Sequence, residues 1–198
     1  MNNQPSTQGG FTMLEVLVSL LILLIGLLGL AGLLVTTQQG EVEAYQRKQA
    51  TVLLQDMLDR LTANPKAAGA FGQCYAFTNV ATGAPVLGTG NAVDANFVCG
   101  AGSASQQTRG SADLKAWNNA LLGTSEQKGT ANYVGAIIDA RGCVTNPASG
   151  VYVVSVAWRG LQPTVAPPAA YNCGTGQYTD ERLRRVISVT IRLANLAA

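Results

Sequence analysis

Twenty consecutive residues, Val16 to Val35, carry a single strongly polar side chain, that of Ser19. At about 1.5 Å per residue such a run makes roughly 30 Å of helix, the hydrocarbon thickness of a bilayer. An ordinary secretory signal places a basic stretch first, then a shorter apolar core, then a small-residue cleavage site. Here Met1 to Gly10 is polar, the apolar segment follows, and no A-x-A-like site closes it before Gln38. The segment therefore reads as an anchor that stays in the chain. An anchor of this kind forces the remaining residues to fold beside a membrane.

Composition narrows what those residues can do. The chain has no histidine, which removes the commonest general base and the commonest metal ligand. A formal charge of +2 is too small to point to nucleic acid. Charged residues make up 12% of the 198, and Gly contributes 22, above the average usage of about 7%. A low-charge, Gly-rich chain suits a loop-bearing head that packs against other protein. The four cysteines, Cys74, Cys99, Cys143 and Cys173, all follow the apolar segment and none forms a C-x-x-C pair. That argues against zinc and thioredoxin-like chemistry and for two disulfides in an oxidising compartment. Four cysteines allow three pairings; local closure, Cys74–Cys99 and Cys143–Cys173, is the expectation. No metal or cofactor is expected.

Glu15 stands at the mouth of the apolar segment. A charge at a helix centre costs about 2.5–3.5 kcal/mol on insertion scales, less near an end. By position alone Glu15 has two readings: hydrated at headgroup level where it complements the helix dipole, or held there for use. Gly26, Gly29 and Gly32 likewise read either as ordinary glycines of a membrane helix or as a smooth strip for close helix approach.

The run Gly9-Gly10-Phe11-Thr12-Met13-Leu14-Glu15-Val16, placed directly before twenty apolar residues, resembles the processing site of type IV prepilins and pseudopilins. The resemblance implies that a membrane prepilin peptidase cuts between Gly10 and Phe11. Phe11 then becomes the N-methylated new terminus, and Glu15 serves as the assembly carboxylate. In a filament that carboxylate can pair with the terminal amine of a neighbouring Phe11, so that each buried charge offsets the other. The leader carries neither Lys nor Arg, so orientation by positive charge rests mainly on the N-terminal amine.

The helical pattern outlasts the apolar run. Ala50, Leu53, Leu54, Met57, Leu58 and Leu61 follow helical spacing, and Glu43 with Arg47 and Asp56 with Arg60 form acid-before-base pairs at i,i+4. Asn64-Pro65 ends the helix. Phe11 to about Thr62 is then one helix of roughly 78 Å. The expected organisation is a leader over 1–10, a transmembrane and filament-core helix over 11–35, an amphipathic continuation over 36–64, and a disulfide-bearing head over 65–198.

In the head, 66–110 reads as loop with short strands. Ser111 is a candidate cap for a short helix bearing Leu114, Trp117 and Leu121. Strands are expected over Tyr133 to Val144, Val151 to Arg159 and Arg184 to Leu193, with Asn146-Pro147 and Gly150 turning the first hairpin. The pattern gives an α+β fold, a long N-terminal helix whose stripe lies on an antiparallel sheet. This also matches the pilin fold.

The segments Gly26 to Leu33, Asp56 to Leu61 and Ala63-Asn64-Pro65, with the strand Tyr152-x-Val154-x-Val156-x-Trp158, resemble the PilV type of minor pilin. That resemblance implies a structural, non-enzymatic role in assembling, priming or modifying a type IV pilus, with twitching or adhesion as its outcome. Partners so implied are other minor pilins, the major pilin and a tip adhesin of the PilY type. The implied location is the bacterial inner membrane, crossed once with the head in the periplasm, and then the pilus. A minor pseudopilin of a type II secretion system shares the same leader and architecture. As an enzymatic alternative, Asp139 with Arg141, or Asp180 and Glu181 beside Arg182, Arg184 and Arg185, read more simply as a solvated charged rim. Gly88-Thr89-Gly90-Asn91 is a turn and lacks the Lys that a phosphate loop needs. Direct adhesion by the loops is a third reading that the head permits.

Overall fold

A computed structural model describes residues 10–65, 74–90, 99–100, 102–124, 127–128, 132–133 and 137–193. The chain divides into two compact units, Met1–Val42 and Glu43–Ala198. Helix α1 spans Met13–Ala63. It starts two residues later than the apolar pattern suggests, because Thr12 stands outside it as the cap. The Glu15 amide donates to both Thr12 Oγ1 (3.3 Å) and the Thr12 carbonyl (3.1 Å). The helix stops at Ala63, directly before the Asn64-Pro65 pair that the sequence marks as its end.

In the first unit the apolar residues of α1 are exposed throughout, from Val16 to Val35, which is the pattern of a segment whose surroundings are not water. In the second unit α1 has one buried face, made by Gln46, Ala50, Leu54, Met57 and Leu61. Leu53 and Leu58 are partly buried against the same core. The i,i+4 pair of Asp56 and Arg60 forms at 3.0 Å. Glu43 does not turn to Arg47 as spacing suggests; it takes Arg185 at 3.0 Å, tying α1 to the sheet.

The main sheet has four antiparallel strands in the order β1 (Leu87–Gly88), β4 (Arg141–Ala148), β5 (Val151–Arg159), β6 (Arg184–Arg192). A separate two-stranded ladder joins β2 (Gln127–Lys128) and β3 (Asn132–Tyr133). Alternation on β5 assigns its two faces. Val154, Val156 and Trp158 join the core that holds the α1 stripe together with Leu114, Trp117 and Leu121 of α2 (Ala104–Leu122). Ala157, on the other face, joins a smaller cluster with Val86, Cys143, Cys173 and Tyr178.

Three expectations need correction. α2 is capped by Ser103, not Ser111: the Ser103 hydroxyl accepts from Gln106 N while Gln106 reaches back to the Ser103 amide, a complete capping box. The strand expected over Tyr133 to Val144 begins at Arg141, because Ile138 and Asp139 form a turn with Asp139 in the left-handed region (φ 57°). Ile137 is buried all the same, so its apolar character reflects a core position beside a turn. Pro147 does not end β4, which continues to Ala148 across an irregular register between Thr145 and Ala148, the kind of site where a strand tolerates proline.

Both cysteine pairs are bonded, Cys74 to Cys99 and Cys143 to Cys173. The first rests on α2 at Gly110, where an added Cβ would stand 2.9 Å from Cys99 Sγ. Only the absence of a side chain lets helix and disulfide approach so closely.

Candidate functional site

Gly10, Phe11 and the start of α1 form the first candidate site. Gly10 is exposed, and nothing stands within 4 Å of where its Cβ would be. The peptide beside it is sterically open. Met1 to Gly9 lie outside the described residues. Phe11 is 83% exposed and precedes the cap. Thr12 fixes the first turn, which puts Glu15 one turn into α1 with Ser19 one turn further. The Ser19 hydroxyl donates to the Glu15 carbonyl at 2.7 Å, a self-satisfied arrangement that keeps a polar side chain tolerable in an apolar surrounding. Phe11, Glu15, Ser19 and Leu23 line a shallow cavity of about 260 Å³. Among the described residues the Glu15 carboxylate receives no side-chain hydrogen bond. What the arrangement offers is one carboxylate beside an aromatic ring and an aliphatic wall. Such a site favours a cation that arrives with its own apolar cover. Gly26, Gly29 and Gly32 have open space where a Cβ would stand, consistent with either reading of that strip.

Of the charged pairs of the head, Arg182 with Asp180 lies on a solvated rim, as expected, but Arg141 and Arg184 do not. Arg141 is 5% exposed and Arg184 is 2% exposed. Arg141 pairs with Asp139 Oδ1 at 3.0 Å, donates to the Asp139 carbonyl and stacks 4.4 Å over the ring of Tyr178. Burial pushes the Tyr178 hydroxyl up to about 12, against the pull of the Arg141 cation beside it. Arg184 pairs with Glu181 at 2.6 Å and donates to the Tyr171 and Cys173 carbonyls, so it stitches the loop of the second disulfide to β6. Arg182 pairs with Asp180, whose carboxyl is held below the usual range by the side chain and amide of Arg182. These groups pair with one another, although Arg141 Nε is buried without a hydrogen-bond partner among the described residues, and they form no constellation of nucleophile and base.

One polar network carries no recognisable signal in the sequence. Tyr75 is fully buried and donates its hydroxyl to Asp113 Oδ2, while Arg60 donates to Asp113 Oδ1 at 3.0 Å. Asn64, buried at the end of α1, donates to Tyr75 Oη and to the Gln106 carbonyl. The group joins α1, the segment after Cys74 and α2. Its hydrogen bonds join residues 11 to 53 positions apart, which is why helical or strand spacing gives no hint of it.

Residues 5–31 match the model of the prokaryotic N-terminal methylation motif. This is a type IV prepilin-like segment, and in this chain it leads into an α+β head consistent with the type IV pilin fold, a long apolar helix followed by a four-stranded antiparallel sheet. The motif implies processing by a prepilin peptidase and anchoring in a membrane. Comparison with curated proteins gives no match, and neither does comparison with solved structures.

Proposed function

We propose that the chain is a structural minor pilin of the PilV type, taking part in the assembly, priming or modification of a type IV pilus. In this reading the peptidase cuts after Gly10 and Phe11 becomes the methylated terminus. Glu15 then meets the amine of a neighbouring Phe11 when subunits pack. The head lies outside the cytoplasm and meets other minor pilins, the major pilin and a tip adhesin.

The observation that carries most weight is the junction itself. A methylation motif at residues 5–31 opens a helix, Met13–Ala63, whose later turns form the core of the head. One element then serves both as anchor and as spine, as a subunit drawn from a membrane into a filament requires. The enclosed pairing of the head charges supports a structural role over catalysis. The resemblance of the segments around Gly26–Leu33 and Arg60–Pro65 to a minor pilin favours the pilus over a type II secretion pseudopilin.

A deletion strain separates those two. Loss of surface pili and twitching with continued secretion of folded exoproteins is expected. Normal piliation with lost secretion would move the assignment to the pseudopilin.

A further inference from the structure

β6 is one edge of the four-stranded sheet. Two backbone bonds fix the phase of its ladder: Leu193 donates to the Gly150 carbonyl, and Gly160 donates to the Leu183 carbonyl. Between them the antiparallel register runs without a shift, from Val151 opposite Arg192 to Arg159 opposite Arg184. The odd-numbered residues of β6 therefore aim their N–H and C=O groups at β5. Val186, Ser188, Thr190 and Arg192 aim theirs outward, and none of these has a backbone partner among the described residues.

Edge strands are ordinarily guarded by shortness, proline, a bulge or a charge within the strand. From Val186 to Ile191 there is no proline, no charge and no bulge. Such an edge is a template for an added strand.

A second feature adjoins it. On the sheet face turned away from the α1 stripe lies a groove of about 380 Å³, bordered by Thr145, Ser155, Tyr171, Asn172, Ser188 and Thr190 and, among the described residues, by no charged side chain. Ser188 and Thr190 belong to both edge and groove. A strand laid along β6 at about 4.8 Å would stand its alternate side chains beside that groove.

We propose that β6 receives an extended segment of a partner polypeptide, its backbone paired with 186–192 and one bulky, uncharged side chain lodged in the groove. This is strand addition, in which main-chain bonds supply affinity and a pocket for alternate side chains supplies specificity. A second copy of β6 fits the edge but not the groove. It would offer Val, Ser and Thr, too small to fill the space, or Arg192, a cation with no acid to meet. Arg192 forms no ion pair among the described residues, so the segment carries a carboxylate at that end. The inference stands on the sheet alone and holds whichever assembly the chain joins.

The test uses the full chain in detergent micelles and a capped synthetic peptide of alternating Val and Thr, with a central Tyr and one terminal Asp. Residue-resolved hydrogen exchange is the readout. The amides of 186, 188, 190 and 192 should exchange freely without peptide. They should slow about a hundredfold when peptide exceeds its dissociation constant a hundredfold. Thr190→Pro removes one outward N–H and spares the β5 ladder, so it should abolish the slowing with circular dichroism unchanged. If T190P fails to fold, Thr145→Trp decides: filling the groove should weaken the Tyr peptide about tenfold and leave its Tyr-to-Ala counterpart unaffected. Outward amides already protected in the free chain, no slowing with peptide, or protection that tracks formation of a dimer would each overturn the proposal.

Discussion

The Tyr75 hydroxyl donates to the Asp113 carboxylate, and the other oxygen of that carboxylate takes Arg60. A tyrosine with no exposed surface is thereby satisfied by α2, and α2 is charge-paired to α1 through the same side chain. Burial and the neighbouring Asp113 both raise the Tyr75 hydroxyl, so it stays a neutral donor across ordinary pH.

Asp113→Ala should be costly for this reason. It strands a buried hydroxyl and removes one of two carboxylates from a half-buried guanidinium, and Arg60 keeps Asp56. Hydrogen bonds to charged groups contribute about 1.5–3 kcal/mol, and partial exposure of Arg60 places the expected loss toward the lower half of that range. Urea denaturation of the chain in micelles measures it; an unchanged midpoint would show that the network is not stabilising.

Tyr178 gives a pH dependence with a definite sign. Its folded value lies near 12, above the value of about 10 for a free tyrosine. A group whose folded value is raised contributes stability that is intact below the unfolded value and is lost as pH climbs through the folded one. Stability should therefore hold to about pH 10 and fall between there and pH 12. Tyr178→Phe keeps the ring under Arg141 but removes the 3.1 Å bond to the Asp139 carbonyl, and should flatten that fall. Thermal unfolding scans at stepped pH read both effects. An equal slope in the variant would assign the alkaline loss elsewhere, to Tyr75 first.

How far the sequence reaches into this molecule differs by element. α1 was legible because its first part is apolar all round, its second part has one stripe, and Asn64-Pro65 marks its end. β5 was legible because Tyr152, Val154, Val156 and Trp158 alternate and all are buried. The start of β4 was not, since Ile137 and Ile138 look alike in strand and turn when only apolar character is read. The Ser103 capping box is legible as Ser-x-x-Gln, but Ser111 lies nearer to Leu114, Trp117 and Leu121 and offers the same side chain. On β6, Ile187, Val189 and Ile191 alternate as a buried face would, yet Val189 is 39% exposed, because an edge strand has a neighbour on one side only. By residue type Arg141 and Arg184 look like rim charges. Their burial depends on Tyr178 and on the Tyr171–Cys173 loop, which no local spacing reveals. The methylation motif at residues 5–31 is legible in the sequence, while the roles proposed for Gly10, Phe11 and Glu15 turn on chemistry between chains.

The two disulfides close loops with sequence separations of 25 and 30. In the chain-entropy model each is worth about 3–4 kcal/mol. Replacing Cys143 and Cys173 together by Ala should also free the 171–173 carbonyls from Arg184, leaving a buried cation less well held. The double variant should therefore lose more than the entropic share, and more than a Cys74/Cys99 double variant, whose bond packs against α2 at Gly110. Paired urea titrations test the order. Non-reducing peptide mapping that finds Cys99 joined to Cys143 would overturn the pairing itself.

Glu15→Val separates insertion from assembly. Within the chain, Glu15 is exposed at the start of α1 among Phe11, Leu20 and Leu23, and its carboxylate has no side-chain donor among the described residues. Removing it deletes a charge from an apolar helix, so membrane insertion should be unchanged or improved, by up to about 2.5 kcal/mol on insertion scales. Thr12 still caps the helix through the Glu15 position's backbone amide, so the fold of this segment should persist. The loss falls on the neighbour. A methylated Phe11 amine brought against α1 of this chain would be desolvated without an anion, and an unpaired buried charge costs several kcal/mol. Incorporation into sheared filaments should drop by tenfold or more, while the membrane pool of processed chain rises. Glu15→Gln should fall between the two, because an amide can accept the hydrogen bond but cannot neutralise the amine. Quantitative peptide counting in sheared and membrane fractions reads all three chains. Wild-type incorporation of the Val variant would remove the assembly role from Glu15 and return the residue to a hydrated place at headgroup level.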